Sequence, residues 1–185
     1  MSDGYLLDTN VISALADRTR ADHIPTSQRL AAIGNSPVLL PVMAIAEISF
    51  GMAKAGNVAP QKRAELQAFF AQYVHLPVGD GTVDPYSLVR AELWRLFATP
   101  QKRGHKERRA EDLLNKVTGK ELGIDEPDLL IASVALEHNL ILVTHDENEG
   151  MRRIKEASER IFQRREFPVQ LRTENWSVAL PGSMN

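Results

Sequence analysis

The sequence predicts an α/β domain built on a mainly parallel sheet, and three observations carry that prediction. Short apolar runs alternate along the chain with longer segments of helical periodicity. The run Leu140–Thr144 is continuously apolar rather than alternating, as suits a parallel strand covered on both faces. The runs at Tyr5–Leu7 and Leu140–Thr144 each lead shortly into an acid, and the carboxyl ends of strands are where open α/β sheets form ligand sites.

The elements follow in order. Tyr5-Leu6-Leu7 is a strand, Asp8-Thr9-Asn10 a tight turn, and Val11, Ile12, Leu15 and Ala16 begin a helical pattern. Pro37–Leu40 is a second β-type run. A helix starts at Pro41, where a first turn tolerates proline, and passes through Met43, Ile45, Ile48, Phe50 and Met52. Gly56 is its natural terminator. Pro60–Tyr73 is a helix with Leu66, Phe69 and Phe70 as its apolar positions, His75–Val78 a short strand, and Val83–Ala98 a helix carrying Leu88, Leu93, Leu96 and Phe97. Thr99–Gly123 is strongly polar apart from an amphipathic stretch around Leu113 and Leu114. Asp125–His138 is a helix, Leu140–Thr144 a strand, Asn148–Phe162 a helix, and Val169-Gln170-Leu171 a candidate edge strand. There is no internal repeat or low-complexity tract.

Composition narrows the class. With 185 residues, 43% of them hydrophobic and 25% charged, the chain suits one domain over 1–185 with a single sizeable core. No apolar run is long enough to span a bilayer, and the N-terminus lacks the basic and apolar regions of a signal peptide. The absence of cysteine excludes disulfides, thiolate catalysis and Cys-ligated metal sites. A soluble cytoplasmic protein is expected. The net charge of -2 argues against holding nucleic acid by bulk charge, so the distribution of charge matters more than its sum.

Four carboxylates stand out. Asp8 and Asp146 follow strands, although each alone reads equally well as a cap or turn acid. Glu47 lies among Met43, Ala44, Ile48 and Phe50, where a lone acid would lose solvation unless it faced a narrow exposed stripe. In Asp125-Glu126-Pro127-Asp128, one aspartate can cap the helix while the other points to a site. Asp128 is favoured for the site because Ile131, Ala132 and Ala135 share its face. Gathering carboxylates raises their pKa values, and hard oxygen-seeking cations relieve that cost, which makes Mg²⁺ or Mn²⁺ the natural cofactor. Such an ion activates water and offsets charge in phosphodiester hydrolysis. The histidines His23, His75, His105, His138 and His145 are scattered and read as surface or local groups.

Leu6-Leu7-Asp8-Thr9-Asn10-Val11-Ile12 resembles the opening motif of PIN domains, and Ala46-Glu47-Ile48-Ser49-Phe50-Gly51 resembles the segment of their second acid. Asp128-Leu129-Leu130-Ile131-Ala132-Ser133, with Leu142-Val143-Thr144-His145-Asp146, resembles the third and fourth acid motifs of VapC-like toxin ribonucleases. Glu174-Asn175-Trp176 is similar to a common closing segment. The motifs occur in the family's order over most of the chain. The resemblance implies a three-layer α/β/α sandwich and a Mg²⁺- or Mn²⁺-dependent endoribonuclease. It also implies the toxin half of a toxin–antitoxin pair, often a homodimer, with Asp8, Glu47, Asp128 and Asp146 on the metal and Thr144 supporting them. Three departures stand beside it. Ala44 occupies a position often Thr or Ser, and Glu149-Gly150 stands where many members have Asp-Phe, leaving Glu149 best read as a solvated helix-start acid. The chain is also longer, chiefly at 99–123 and 155–168.

Those longer segments are basic. Lys102, Arg103, Lys106, Arg108 and Arg109 cluster in one, and Arg152, Arg153, Lys155, Arg160, Arg164 and Arg165 lie in or beside the other. Interspersed Glu107, Glu111, Glu156, Glu159 and Glu166 allow plain solvated helix faces, and a phosphate-holding surface for RNA is the sharper alternative. Two other function classes compete with the nuclease. One is a non-catalytic regulatory subunit of a DNA-binding toxin–antitoxin complex. The other is a haloacid-dehalogenase-like phosphatase, which expects an acid where Asn10 stands.

Overall fold

The computed structural model describes residues 4–97 and 110–178, which form two compact units. The first comprises residues 4–77, 140–146 and 172–178, and the second 78–97, 110–139 and 147–171.

The first unit holds the sheet. Its strands are β1 (Tyr5–Leu7), β2 (Val38–Pro41), β3 (Val74–Leu76), β4 (Ile141–Val143) and β5 (Arg172–Glu174), in the order β3-β2-β1-β4-β5. Every neighbouring pair is parallel, as the unbroken apolar runs predict. Leu6 sits in register between Leu39 and Leu142 at the centre, and Leu6, Leu7, Leu40, Leu142 and Val143 are sealed from solvent. Trp176 is fully buried, with its ring centroid 5.4 Å from that of Tyr5.

Helices α1 (Thr9–Ala16) and α2 (His23–Ala32) connect β1 to β2, while α3 (Val42–Ala55) and α4 (Pro60–Phe70) connect β2 to β3. Helix α2 is absent from the sequence reading because it has no apolar stripe to read: of its ten residues only Thr26 is buried. Helix α3 ends at Gly56, whose φ of 71° suits glycine, and its apolar composition misleads in the other direction. Only Ala44 is buried in it, while Val42 and Phe50 stand 43% and 67% exposed.

The second unit packs three helices, α5 (Val83–Phe97), α6 (Glu126–Glu137) and α7 (Glu149–Gln163). Helix α6 buries Leu129 and the run Ile131–Leu136. Helix α7 is amphipathic, capped by Asn148 accepting from the Met151 N–H at 2.8 Å, and it buries Met151, Ile154, Ala157 and Ile161. Leu113 is buried as its amphipathic setting suggests, and a short antiparallel bridge joins Leu114 and Glu121. The candidate edge strand Val169–Leu171 is displaced: the Leu171 N–H is held by Ser158 Oγ at 3.0 Å, and pairing with β4 starts at Arg172. Among the described residues, no helix is long and apolar enough to cross a membrane.

Candidate active site

The sheet order places a switch point at its centre. From β1 the chain moves outward through β2 and β3, then returns to lay β4 against the other side of β1. The crevice outside the carboxyl ends of two such strands is the usual ligand site of an open α/β sheet. Here Asp8 leaves β1, and Thr144, His145 and Asp146 leave β4.

Asp8 is a cap and a site acid at once. It precedes the first turn of α1, and its Oδ1 accepts the Thr9 N–H at 2.5 Å. Its own N–H bonds the Val143 carbonyl at 2.9 Å, and its Oδ2 accepts the Thr144 hydroxyl at 2.7 Å. The residue is 2% exposed, and no arginine or lysine among the described residues pairs with it. Burial pushes its carboxyl above the ordinary range. The bonds from Thr144 and Thr9 oppose that rise, and the charges of Glu47 and Asp146 add to it.

Glu47 reaches the site from α3. It is half-buried rather than sealed, and its Oε2 accepts the Thr9 hydroxyl at 2.5 Å. Asp146 is also half-buried, and its N–H donates to Thr144 Oγ1 at 3.0 Å. Thr144 therefore joins the two acidic strand ends through a single hydroxyl, as the resemblance implies for it. Glu47 and Asp146 thus both act on Asp8 within the first unit. Asp128 belongs to the second unit, where it stands half-buried in the first turn of α6 with Ile131, Ala132 and Ala135 buried along its face. Asp125 takes the cap position of α6 without a side-chain cap bond.

The acids offer oxygen donors, the ligand type that hard divalent cations prefer. Among the described residues, no three His, Asp or Glu groups already converge as a metal cage. Mg²⁺ does not demand one, since it keeps several waters and takes one or two carboxylates.

The remaining candidates sort clearly. Glu149 opens α7 with its side chain 55% exposed and pairs with Arg152 and Arg153, as a solvated helix-start acid should. In the second basic cluster, Arg160 pairs with Glu156, and Arg164 with Glu92 and Glu166. Those pairs favour the structural reading of that cluster. Lys102, Arg103, Lys106, Arg108, Arg109 and His105 lie outside the described residues. His23, His75 and His138 are engaged locally, whereas His145 departs from expectation with a side chain only 8% exposed against Asp22. Thr9, Asp22 and His145 are the contributors that sequence reasoning missed. Thr9 lay within the opening motif, but nothing in the sequence paired Asp22 with His145.

Comparison with known proteins agrees with this fold. The chain is similar in structure to VapBC2 from Rickettsia felis bound to a DNA fragment from their promoter, at 21% identity and a TM-score of 0.60, covering 93% of this chain and 98% of that one. It is similar to VapBC-1 from nontypeable Haemophilus influenzae, at 19% identity and a TM-score of 0.61, covering 94% and 98%. It is also similar to DNA-bound VapBC from Salmonella typhimurium, at 17% identity and a TM-score of 0.57, with coverage of 94% and 98%. These likenesses show the α/β fold that the sequence predicts. No match was found among curated proteins. The family model described as PIN domain matches residues 5–157, and with the acidic strand ends in place the chain belongs to the PIN-domain family.

Proposed function

We propose that this chain is a divalent-metal-dependent endoribonuclease and the toxin member of a toxin–antitoxin pair, its two units working together as one nuclease domain in the cytoplasm. The observation that carries the reading is Asp8: a buried carboxylate at the sheet's switch point, raised in pKa, with Glu47 and Asp146 close enough to raise it further. A site with that excess of negative charge favours a cation. Asp8, Glu47, Asp146 and, from α6, Asp128 are the residues proposed to hold it. When bound, Mg²⁺ or Mn²⁺ would supply positive charge against the scissile phosphate and lower the pKa of the attacking water. The protein's own part is orientation. Thr144 directs one Asp8 oxygen, the Thr9 amide directs the other, and the Thr9 hydroxyl directs Glu47.

The partner reading rests on α3. Beside Glu47 and Thr9 runs a groove of about 480 Å³ lined by Ile48, Met52, Ala55, Val58 and Leu66. Together with exposed Phe50 and Val42 it suits an apolar segment of an antitoxin or a second copy of the chain. The structural neighbours described as VapBC complexes support the antitoxin.

The test is cleavage of a mixed RNA pool by the purified protein with Mg²⁺, Mn²⁺ or EDTA, beside Asp8→Asn and Asp128→Asn. Metal-dependent cutting lost in both variants is the expected result. A folded wild type that neither cuts RNA nor arrests growth on expression would leave the binding-only subunit as the better reading.

A further inference from the structure

Asp146 lies in the loop leaving β4, where the Thr144 hydroxyl accepts its amide. The residue before it anchors that loop further. The imidazole of His145 lies between two groups at the start of α2: its Nδ1 is 3.1 Å from Asp22 Oδ2, and its Nε2 is 3.4 Å from Thr26 Oγ1. Asp22 precedes α2 yet makes no capping bond with its side chain. Its carboxylate is used instead as a bridge, taking Arg20 through Nε and Nη2 at 2.9 Å each while it accepts from His145. Thr26, fully buried, donates to the Asp22 carbonyl at 2.5 Å and lies 3.4 Å from the Trp176 carbonyl. The Trp176 indole N–H in turn bonds Glu174 at 2.8 Å, at the end of β5. The imidazole is thereby fixed at both nitrogens, and so is the backbone on one side of Asp146.

We propose that Arg20, Asp22 and His145 form a positioning chain that presents Asp146 to the divalent cation. This rests on Asp146 belonging to the site proposed above. The geometry separates two tasks around a single loop. Thr144 ties the loop to Asp8, and His145 ties it to α2. It also gives a role to α2, a helix in which Thr26 alone is fully buried. Groups that hold metal ligands in place commonly contribute ten- to a hundredfold to metal affinity.

The experiment measures Mn²⁺ binding directly, by the electron paramagnetic resonance of free Mn²⁺, on the full chain without RNA. His145→Leu should weaken Mn²⁺ binding about tenfold. His145→Asn should restore most of it, since the asparagine amide offers an N–H where Nδ1 offers one. Arg20→Gln, at the exposed end of the chain, keeps the fold and should weaken binding in the same direction by less. A merely structural role would lower the melting temperature of these variants while the folded protein kept wild-type Mn²⁺ affinity, and that outcome overturns the proposal. Wild-type protein that binds no Mn²⁺ overturns both this proposal and the metal-dependent function. Wild-type binding matched by His145→Leu and Arg20→Gln overturns this one alone.

Discussion

Asp8 in the first unit and Glu92 in the second are equally hidden, each 2% exposed, and the protein treats them in opposite ways. Glu92 on α5 receives Arg164 through two bonds, at 2.8 and 2.6 Å, and Arg95 at 3.2 Å. The Arg164 bonds hold its carboxyl below the ordinary range, with Arg95 contributing, despite the opposing effect of burial. Asp8 receives a hydroxyl and an amide, faces two further acids, and is pushed the other way. A buried acid with its counter-charge built in joins two helices and needs nothing added. One surrounded by hydroxyls and other acids is disfavoured in its charged form until positive charge arrives.

That contrast breaks cleanly under substitution. Asp8→Asn should reduce RNA cleavage by about a thousandfold, the scale of a lost metal ligand at several kcal/mol of barrier. In metal-free buffer the same variant should melt no lower than wild type, because it removes a charge the fold disfavours. Glu92→Gln should do the reverse, keeping cleavage below its melt while lowering the melting temperature by roughly 5 °C. Calorimetry and a cleavage assay on the same preparations check both, and an Asp8→Asn protein as unstable as Glu92→Gln would erase the distinction. A smaller effect should appear on adding Mn²⁺, which raises the wild-type melting temperature by a few degrees through binding to the folded state. Asp8→Asn should lose that rise, and Glu92→Gln should keep it.

The smallest effect is in pH. Asp8 has a folded pKa above its unfolded value, so the folded state binds the extra proton, and metal-free stability is lost as pH rises from about 4 through the folded value. Glu92 has a depressed folded pKa, so its contribution is present above the unfolded value and lost as pH falls through the folded one. Urea titrations from about pH 3 to 7, with each variant subtracted from wild type, should therefore give slopes of opposite sign, that of Glu92 confined to the acid end below its unfolded value.

What the sequence made legible was whatever a periodicity or a strand end could signal. Strands β1, β2 and β4 and helices α6 and α7 were readable because their apolar residues are largely the buried ones, whereas β3 is mostly exposed and β5 lies just beyond the run Val169–Leu171 that suggested it. Asp8 and Asp146 were readable because they follow β1 and β4. Helix α2 was not, since its value lies in Asp22 and Thr26 rather than in an apolar face. Glu47 is half-buried rather than sealed because α3 is only partly covered, with Ala44 buried while Val42 and Phe50 are exposed. The bond between Asp22 and His145 spans 123 positions, and no local pattern encodes a contact of that separation.

Gly150 carries a consequence for how this chain diverged. It lies in the first turn of α7, and a Cβ built there would stand 2.0 Å from the Gly123 carbonyl oxygen, so a side chain at 150 and the present path of the backbone at 123 exclude one another. Gly123 closes the longer segment of the chain, with a φ of 67° that itself favours glycine. The glycine at 150 is thus the complement of the backbone's course at 123. The two positions are expected to change together across a lineage, and a chain with a bulky residue at 150 must reroute the backbone at 123.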